Sequence, residues 1–248
     1  MAAVVDRFGH RAQEYAAGRP HYPDALLADL PLTQGAIVVE LGAGTGKFTR
    51  LLVRHGVRVI AVEPSEPMAE RIPAEVGAPV EILIAAAESV PLPDAVADLV
   101  CAATAFHWFD YVQATAEIHR LLRPGGHLAV IFNRRDERTP WVAVLSKLLD
   151  SHTHGAPRRS RGDWKAILSD PRFRRVKQTT HAFMQCTTRQ GVYDRVFWTS
   201  YIIALPPSEQ DQVRAEVAAI IAAEPTLRDA ECVAFPYVTE LYLLQRVP

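Results

Sequence analysis

Between positions 37 and 132 short apolar runs rich in β-branched residues alternate with longer segments of helical period. That alternation predicts βα units building a parallel sheet. Strands are expected at 37–41, 58–62, 80–84, 98–103 and 127–132, with a helix after each of the first four. The first helix covers about 46–55 and stops at Gly56, where a C-terminal glycine belongs. The helix after the fourth strand is better marked. Asp110 is an N-cap candidate, Ile118, Leu121 and Leu122 give an apolar face, and Pro124-Gly125-Gly126 ends it in a turn feeding the fifth strand.

Ahead of the sheet lie two helical stretches, near 5–17 and 24–30, joined by Gly18-Arg19-Pro20-His21-Tyr22-Pro23. This leader is too short to be a domain and is expected to pack over the carboxyl edge of the sheet. After Phe132 helical segments near 141–151, 163–169, 189–205 and 208–224 interleave with two long strand candidates, 173–186 and 232–245. Two late strands suggest an antiparallel hairpin on the sheet edge, with the intervening helices forming a cap. The expectation is therefore one α/β domain over 1–248: a helical leader over 1–33, a ligand-binding core over 34–135, and cap helices with the last two strands over 136–248. Its sheet is mostly parallel and seven-stranded, with helices on both faces.

Charge narrows the partners. Lys and Arg total 27 against 28 Asp and Glu, and no basic run is long enough to track a phosphate backbone, so nucleic acid is not expected. Arg158, Arg159 and Arg161, between Gly155 and Gly162, read as a solvated turn. Cys101, Cys186 and Cys232 are odd in number and lack CxxC spacing, which argues against a disulfide framework and a zinc site and fits a reducing cytoplasm. His152 and His154 have no acidic or cysteine partner at zinc spacing, so no metal is expected. Asp6 and Arg7 interrupt the amino terminus before a signal-peptide core develops, and no stretch approaches the roughly 18 apolar residues of a membrane helix. The expectation is a soluble cytoplasmic protein without a membrane partner.

The strongest chemical signal is Val38-Val39-Glu40-Leu41-Gly42-Ala43-Gly44-Thr45-Gly46-Lys47, a buried strand running into a loop with alternate glycines and then a helix. Such spacing lets backbone pass against a ligand at the strand's carboxyl end. A dinucleotide fingerprint needs its third glycine at position 47, which is Lys47, and a P-loop needs Ser or Thr after the lysine, where Phe48 stands. Both pyrophosphate readings fail. Glu63 closes the second strand 21 residues beyond Gly42, where a carboxylate can accept from both hydroxyls of an adenosine ribose; alone it could equally be a solvent-facing strand terminus.

These residues resemble the class I, Rossmann-like S-adenosylmethionine-dependent methyltransferases that carry a methyltransferase type 11 domain. The chain is similar, more narrowly, to their small-molecule branch that includes trans-aconitate methyltransferase-like proteins. The likeness extends to the Tyr15, Arg19-Pro20 and Tyr22-Pro23 leader, Ala87-Glu88-Ser89-Val90-Pro91, Phe106-His107-Trp108-Phe109-Asp110 and Leu122-Arg123-Pro124-Gly125-Gly126. It implies S-adenosylmethionine as cofactor. Gly42, Gly44 and Gly46 would line its methionine part, with Ala43 and Thr45 of the same loop also binding the cofactor, Glu40 would help seat its ammonium group and Glu63 would hold its ribose. Many relatives place Asp-Ala-Glu after the third strand, but position 86 is Ala86, so adenine binding falls to the backbone around Ala86, Ala87 and Glu88. Tyr15 and Arg19 could close over the cofactor, Arg19 as partner of its carboxylate; a surface arginine at a helix end is the equal alternative.

The resemblance implies methyl transfer to a small-molecule acceptor, most simply O-methylation of a carboxylate or hydroxyl. Displacement at an activated sulfonium needs positioning and water exclusion, and a general base only where the acceptor must lose a proton. Tyr22, His107 and Trp108 are the acceptor-pocket candidates. His107, with an ordinary pKa near 6.5, could be that base, or could instead orient Trp108 and the helix start. The acceptor is expected under the cap, among Trp141, Trp164, Phe183, Tyr193, Phe197, Trp198 and Tyr201, although aromatics at helical spacing are more often core. Two other readings remain at this point: the same fold catalysing a rearrangement coupled to methylation, and a non-catalytic cofactor-binding protein.

Overall fold

The β-branched runs form strands buried on both faces, which is the environment a parallel sheet requires. The computed structural model describes residues 18–153, 162–199, 201–228 and 230–248. Strands β1 (Ile37–Leu41), β2 (Arg58–Val62), β3 (Glu81–Leu83), β4 (Ala97–Ala103) and β5 (Leu122–Arg135) are parallel neighbours; β6 (Phe173–Thr187) and β7 (Val233–Arg246) add an antiparallel hairpin. The order is β3-β2-β1-β4-β5-β7-β6. Build-up of the sheet reverses direction between β1 and β4, so their carboxyl ends diverge and leave a crevice there.

Alternation sorts the core. Val38, Val59, Leu99 and Ile131 point to one side with Phe48 and Leu52 of helix α1 (Lys47–Arg54), and Val39, Ile60, Val100 and Val130 point to the other with Ile118 and Leu121 of α4 (Tyr111–Leu121). Each fully buried side chain of this size contributes about 1.5 to 3 kcal/mol. Two short helices, α2 (Glu66–Ala69) and α3 (Ile72–Val76), cross from β2 to β3. A third cluster lies outside the sheet. There Trp141, Val142 and Leu145 of α5 (Pro140–Ser151), Val192 and Val196 of α6 (Arg189–Phe197), and Val213 and Val217 of α7 (Pro207–Ala223) pack on Phe235 and Tyr237 of β7, with Leu227 of α8 (Pro225–Arg228) closing it. This is the expected cap.

Several expectations are corrected. No helix follows β3: residues 84–96 form an irregular crossover, because Pro91 and Pro93 remove the amide donors a helix would need. Asp24–Asp29 and Asp163–Ser169 are 3-10 rather than α-helical, and α6 ends at Phe197 before turns. Pro124-Gly125-Gly126 lies within the bounds of β5, at a shift in the β4–β5 register where a Cβ on Gly126 would come within 2.9 Å of the Arg123 carbonyl oxygen. Trp164 belongs to the sheet core, 4.6 Å from Phe132 and 4.8 Å from Tyr242 between ring centroids, and not to the cap.

Cys186 and Cys232 are disulfide-bonded, with Cα atoms 5.5 Å apart, while Cys101 is free and buried. Spacing along the chain could not show this, because β6 and the entry to β7 are brought together by antiparallel pairing. The cysteine argument for a reducing compartment therefore falls. Among the described residues no helix is long and apolar enough to cross a membrane. The helix expected near 5–17, with Tyr15, lies outside the described residues, as do Arg158, Arg159, Arg161 and His154.

Candidate functional site

Chemistry gathers at the carboxyl ends of β1, β2, β4 and β5. Glu40 on β1 is 1% exposed and accepts a hydrogen bond from Thr49 Oγ1 of α1 at 2.6 Å. Burial pushes its pKa up to about 8, the Thr49 hydrogen bond opposing that rise and the neighbouring Glu63 charge adding to it. A carboxylate buried on these terms favours a cation beside it, since an ammonium group there would restore its ionised form.

The loop after β1 is held by β2: Gly42 N and Ala43 N donate to Val62 O at 2.9 and 3.1 Å. Gly42 has φ +69°, and a Cβ there would sit 2.6 Å from the Ala105 Cβ, so only glycine fits. Gly44, at φ +59°, faces open space, with no atom within 4 Å of a Cβ position. Its N–H donates to Glu63 Oε2 at 2.8 Å, and Glu63 Oε1 accepts from Ser65 N at 3.0 Å. Glycine loop and acidic strand end are thus coupled directly. Burial raises the Glu63 pKa and the two backbone bonds oppose that rise. Beside it the Ser65 hydroxyl is buried with no hydrogen-bond partner among the described residues.

A cleft of about 90 Å³ opens above this loop, lined by Glu40, Gly42, Ala43, Gly44 and Thr45 from below and by Arg19, Pro20 and Tyr22 of the leader from above. Thr104, which follows β4, forms part of its wall at φ +58°, a strained position for a β-branched residue. Its hydroxyl is shared: Tyr22 Oη lies 2.9 Å away and Asn133 N donates to it at 3.2 Å. The Asn133 side-chain amide donates in turn to His21 O at 2.8 Å, and Thr239 Oγ1 donates to Asn133 Oδ1. These bonds stitch the leader to the ends of β4 and β5, where the sequence led one to expect it.

A second cavity, of about 250 Å³, shares Arg19, Pro20 and Asn133 with the cleft and runs beneath the cap. Arg134, Arg135, Arg195, Phe235 and Tyr237 line it, with Trp198 and Tyr201 from the cap. Arg134 pairs with Glu240 at 2.7 Å, and Arg135 Nε donates to Ser146 Oγ at 2.8 Å. Arg195 is 9% exposed, its guanidinium 5.2 and 4.9 Å from the ring centroids of Phe235 and Tyr237. Burial pushes the Tyr237 hydroxyl up to about 12.

The remaining candidates are more dispersed. Gly46 is the N-cap of α1, Ala86 is exposed beyond β3, Ala87 is buried in the sheet core, and Glu88 Oε1 accepts from Asp110 N at 2.8 Å. Asp110 caps α4 through Gln113 N, as its position suggested. His107 and Trp108 lie on the 3-10 helix Phe106–Trp108 and are not among the residues lining either cavity. The His107 ring is 5.9 Å from that of Phe132, and its Nδ1 is buried without a hydrogen-bond partner among the described residues. Burial, reinforced by the Arg19 charge, drops its pKa to about 4. Thr104, Asn133, Ser65 and Arg195 were not anticipated. The polar Asn133-Arg134-Arg135 triplet ending an apolar strand was a usable signal, whereas Arg195 looks like any charged residue of a helix until the fold buries it.

Comparison with known proteins places this geometry in a family. A model described as a methyltransferase domain matches residues 39–130. An uncharacterized methyltransferase of Mycobacterium tuberculosis is 36% identical over 232 residues, covering 94% of this chain and 92% of the relative. A malonyl-[acyl-carrier protein] O-methyltransferase of Enterobacter lignolyticus is 33% identical over 152 residues, 59% of this chain and 60% of that one. The solved structure of a putative type II methyltransferase from Anaeromyxobacter dehalogenans superposes with a TM-score of 0.69 at 23% identity, covering 93% of this chain and 99% of that one. The chain belongs to the class I S-adenosylmethionine-dependent methyltransferases, with S-adenosylmethionine as its methyl donor.

Proposed function

We propose that this enzyme methylates an oxygen, carboxylate or hydroxyl, of a small-molecule acceptor. The observation that carries the reading is the 250 Å³ cavity joined to the glycine-loop cleft through Arg19, Pro20 and Asn133, a volume suited to a compact molecule. The partial likeness to a malonyl-[acyl-carrier protein] O-methyltransferase supports oxygen as the receiving atom.

S-adenosylmethionine supplies, when bound, a methyl group on a positively charged sulfur that needs no further activation. Glu40 seats the ammonium group, the open face of Gly44 admits the methionine chain, and Arg19 pairs with the carboxylate. Glu63 takes the ribose hydroxyls, with the unpartnered Ser65 hydroxyl as a further polar contact. The backbone of Ala86, Ala87 and Glu88 borders the adenine, next to the 53% exposed Ile84 that follows β3. Of the acceptor-pocket candidates Tyr22 lines the cleft, while His107 and Trp108 line neither cavity. A pKa of about 4 keeps the His107 ring neutral at pH 7 but leaves it a weak base, which favours a carboxylate acceptor, one that needs no base.

Thermal denaturation tests the donor site: S-adenosylmethionine or its demethylated product raises Tm and NAD does not, because a ligand of the folded state stabilises by mass action. Release of demethylated cofactor is then followed over carboxylic acids, hydroxyl compounds and amines. Turnover confined to amines would overturn oxygen as the acceptor. With a hydroxyl acceptor, His107→Ala is expected to lower kcat on the order of 10²-fold with cofactor affinity intact. Unchanged turnover would remove His107 from the chemistry.

A further inference from the structure

We infer that His21 is a positioning residue for the methyl donor: its neutral ring, by accepting a hydrogen bond from Arg50, holds the leader segment 18–23 closed over the glycine-loop cleft. The inference rests on the reading of that cleft as the donor site. Arg19, Pro20 and Tyr22 of this segment line the cleft from above, so whatever fixes the segment sets how firmly a bound donor is covered. His21 does not itself line the cleft and acts through these neighbours.

The contact joins the cover to the floor of the cleft. Arg50 Nη2 donates to His21 Nδ1 at 3.0 Å, and Arg50 belongs to α1, which begins where the glycine loop ends. Arginine only donates, so Nδ1 has to present its lone pair, and the proton of the neutral ring sits on Nε2. Arg50 is held ready for this by Glu75 of α3, which lies 3.1 Å from its Nη1 and 3.0 Å from Lys47 Nζ. The His21 backbone is fixed as well, its N–H donating to Gln185 Oε1 at 3.1 Å and its carbonyl accepting from Asn133 Nδ2 at 2.8 Å. At the two ends of the segment Arg195 Nη1 donates to Gly18 O at 3.1 Å, and Tyr22 Oη lies 2.9 Å from Thr104 Oγ1.

Of these bonds only the one between Arg50 and the His21 ring is lost by a titration near neutral pH. Protonation puts an N–H on Nδ1 and a positive charge beside a guanidinium, which turns an attraction into a repulsion. The groups facing the ring favour its neutral form. Burial first, then the charges of Lys47 and Arg50 and more weakly that of Arg195, lower its pKa from the ordinary 6.5, while Glu75 opposes them. The closed segment therefore holds fewer protons than an open one. Its latch contributes in full above pH 6.5 and is lost as pH falls through the depressed value.

The test reads Kd and the dissociation rate of the demethylated cofactor on the full-length enzyme between about pH 8 and pH 5. Glu40 and Glu63 also titrate against the donor, so each variant is compared with wild type at the same pH, where those carboxylates are common to both. His21→Ala is expected to bind about 10-fold more weakly and to release the cofactor faster by a similar factor at pH 8, the scale of one hydrogen bond to a charged group, and to converge on wild type at pH 5. His21→Gln, which keeps an acceptor and cannot titrate, is expected to recover part of that loss at pH 8 and to bind more tightly than wild type at pH 5. Arg50→Met, which removes the donor, is expected to weaken binding at pH 8 as His21→Ala does, and with His21→Gln it decides the matter if His21→Ala fails to fold. Parallel pH profiles for wild type and His21→Gln would overturn the latch while leaving the donor cleft standing. So would a loss in Arg50→Met with none in His21→Ala. Absence of binding by wild type at every pH would defeat the donor cleft and the latch with it.

Discussion

Two carboxylates at the ends of adjacent strands, Glu40 and Glu63, are both buried but are provided for differently. Glu63 meets two backbone N–H groups, from Gly44 and Ser65, so it keeps acceptor capacity in a fixed orientation. Glu40 meets a hydroxyl, and its pKa of about 8 marks a site that awaits positive charge. Glu63→Ala should therefore weaken cofactor binding by about 2 to 3 kcal/mol, the cost of removing one partner of a buried charged hydrogen bond, without unfolding the protein. Calorimetry reads this directly. An unchanged affinity would reduce Glu63 to a brace for the glycine loop. The Gly42 and Gly44 positions were legible in the sequence because each leaves a compositional trace: Gly42 has a neighbouring Cβ at 2.6 Å from where its own would sit, and Gly44 takes a left-handed φ of +59°. Thr104 left none, since its positive φ is imposed by bonds from Tyr22 and Asn133, distant along the chain.

The strands were legible at the level of elements, where period and burial agree. β1 and β2 have the bounds their apolar runs predicted, and β6 alternates half-exposed with exposed residues along its outer length. Elements whose form depends on tertiary partners were not. The irregular 84–96 crossover and the 3-10 character of Asp24–Asp29 follow from prolines and docking rather than from hydrophobic period. That 3-10 helix is pinned to β6 by Asp29, which accepts from Lys177 Nζ and Thr179 Oγ1 at 2.6 Å and lies 2.7 Å from His181 Nε2. These bonds outweigh the opposing effect of desolvation and bring its pKa down to about 2, below the ordinary 3.8. A depressed carboxylate stabilises the fold above its unfolded pKa and loses that contribution as pH falls through the folded one. Asp29→Ala should cost about 1 to 3 kcal/mol at neutral pH, and the gap from wild type should close between about pH 4 and pH 2. Urea unfolding across that range measures it; a gap independent of pH would show that the network acts by packing alone.

For the whole molecule the cap and the sheet are distinct apolar clusters that meet along β7, and the larger cavity lies where they adjoin. The disulfide between Cys186 and Cys232 belongs to this scale. Titration of thiols in the unfolded, unreduced protein should find one thiol per chain, that of Cys101; three would show that the bond does not form.

The bond also gives the cap a particular shape as a piece of chain. Cys186 faces Ala234 across the ladder, so the segment carrying α6, α7 and α8 leaves and rejoins the sheet at one place, a ring hung from a single peg with its joined ends 46 positions apart. Lengthening or shortening such a ring moves no strand, and doubling it would cost about 0.6 kcal/mol in closure entropy. The donor-binding end of the sheet is thereby insulated from changes in the part that supplies Arg195. On the proposed reading, one half of the enzyme could be rebuilt for a new acceptor while the other kept its grip on the same cofactor.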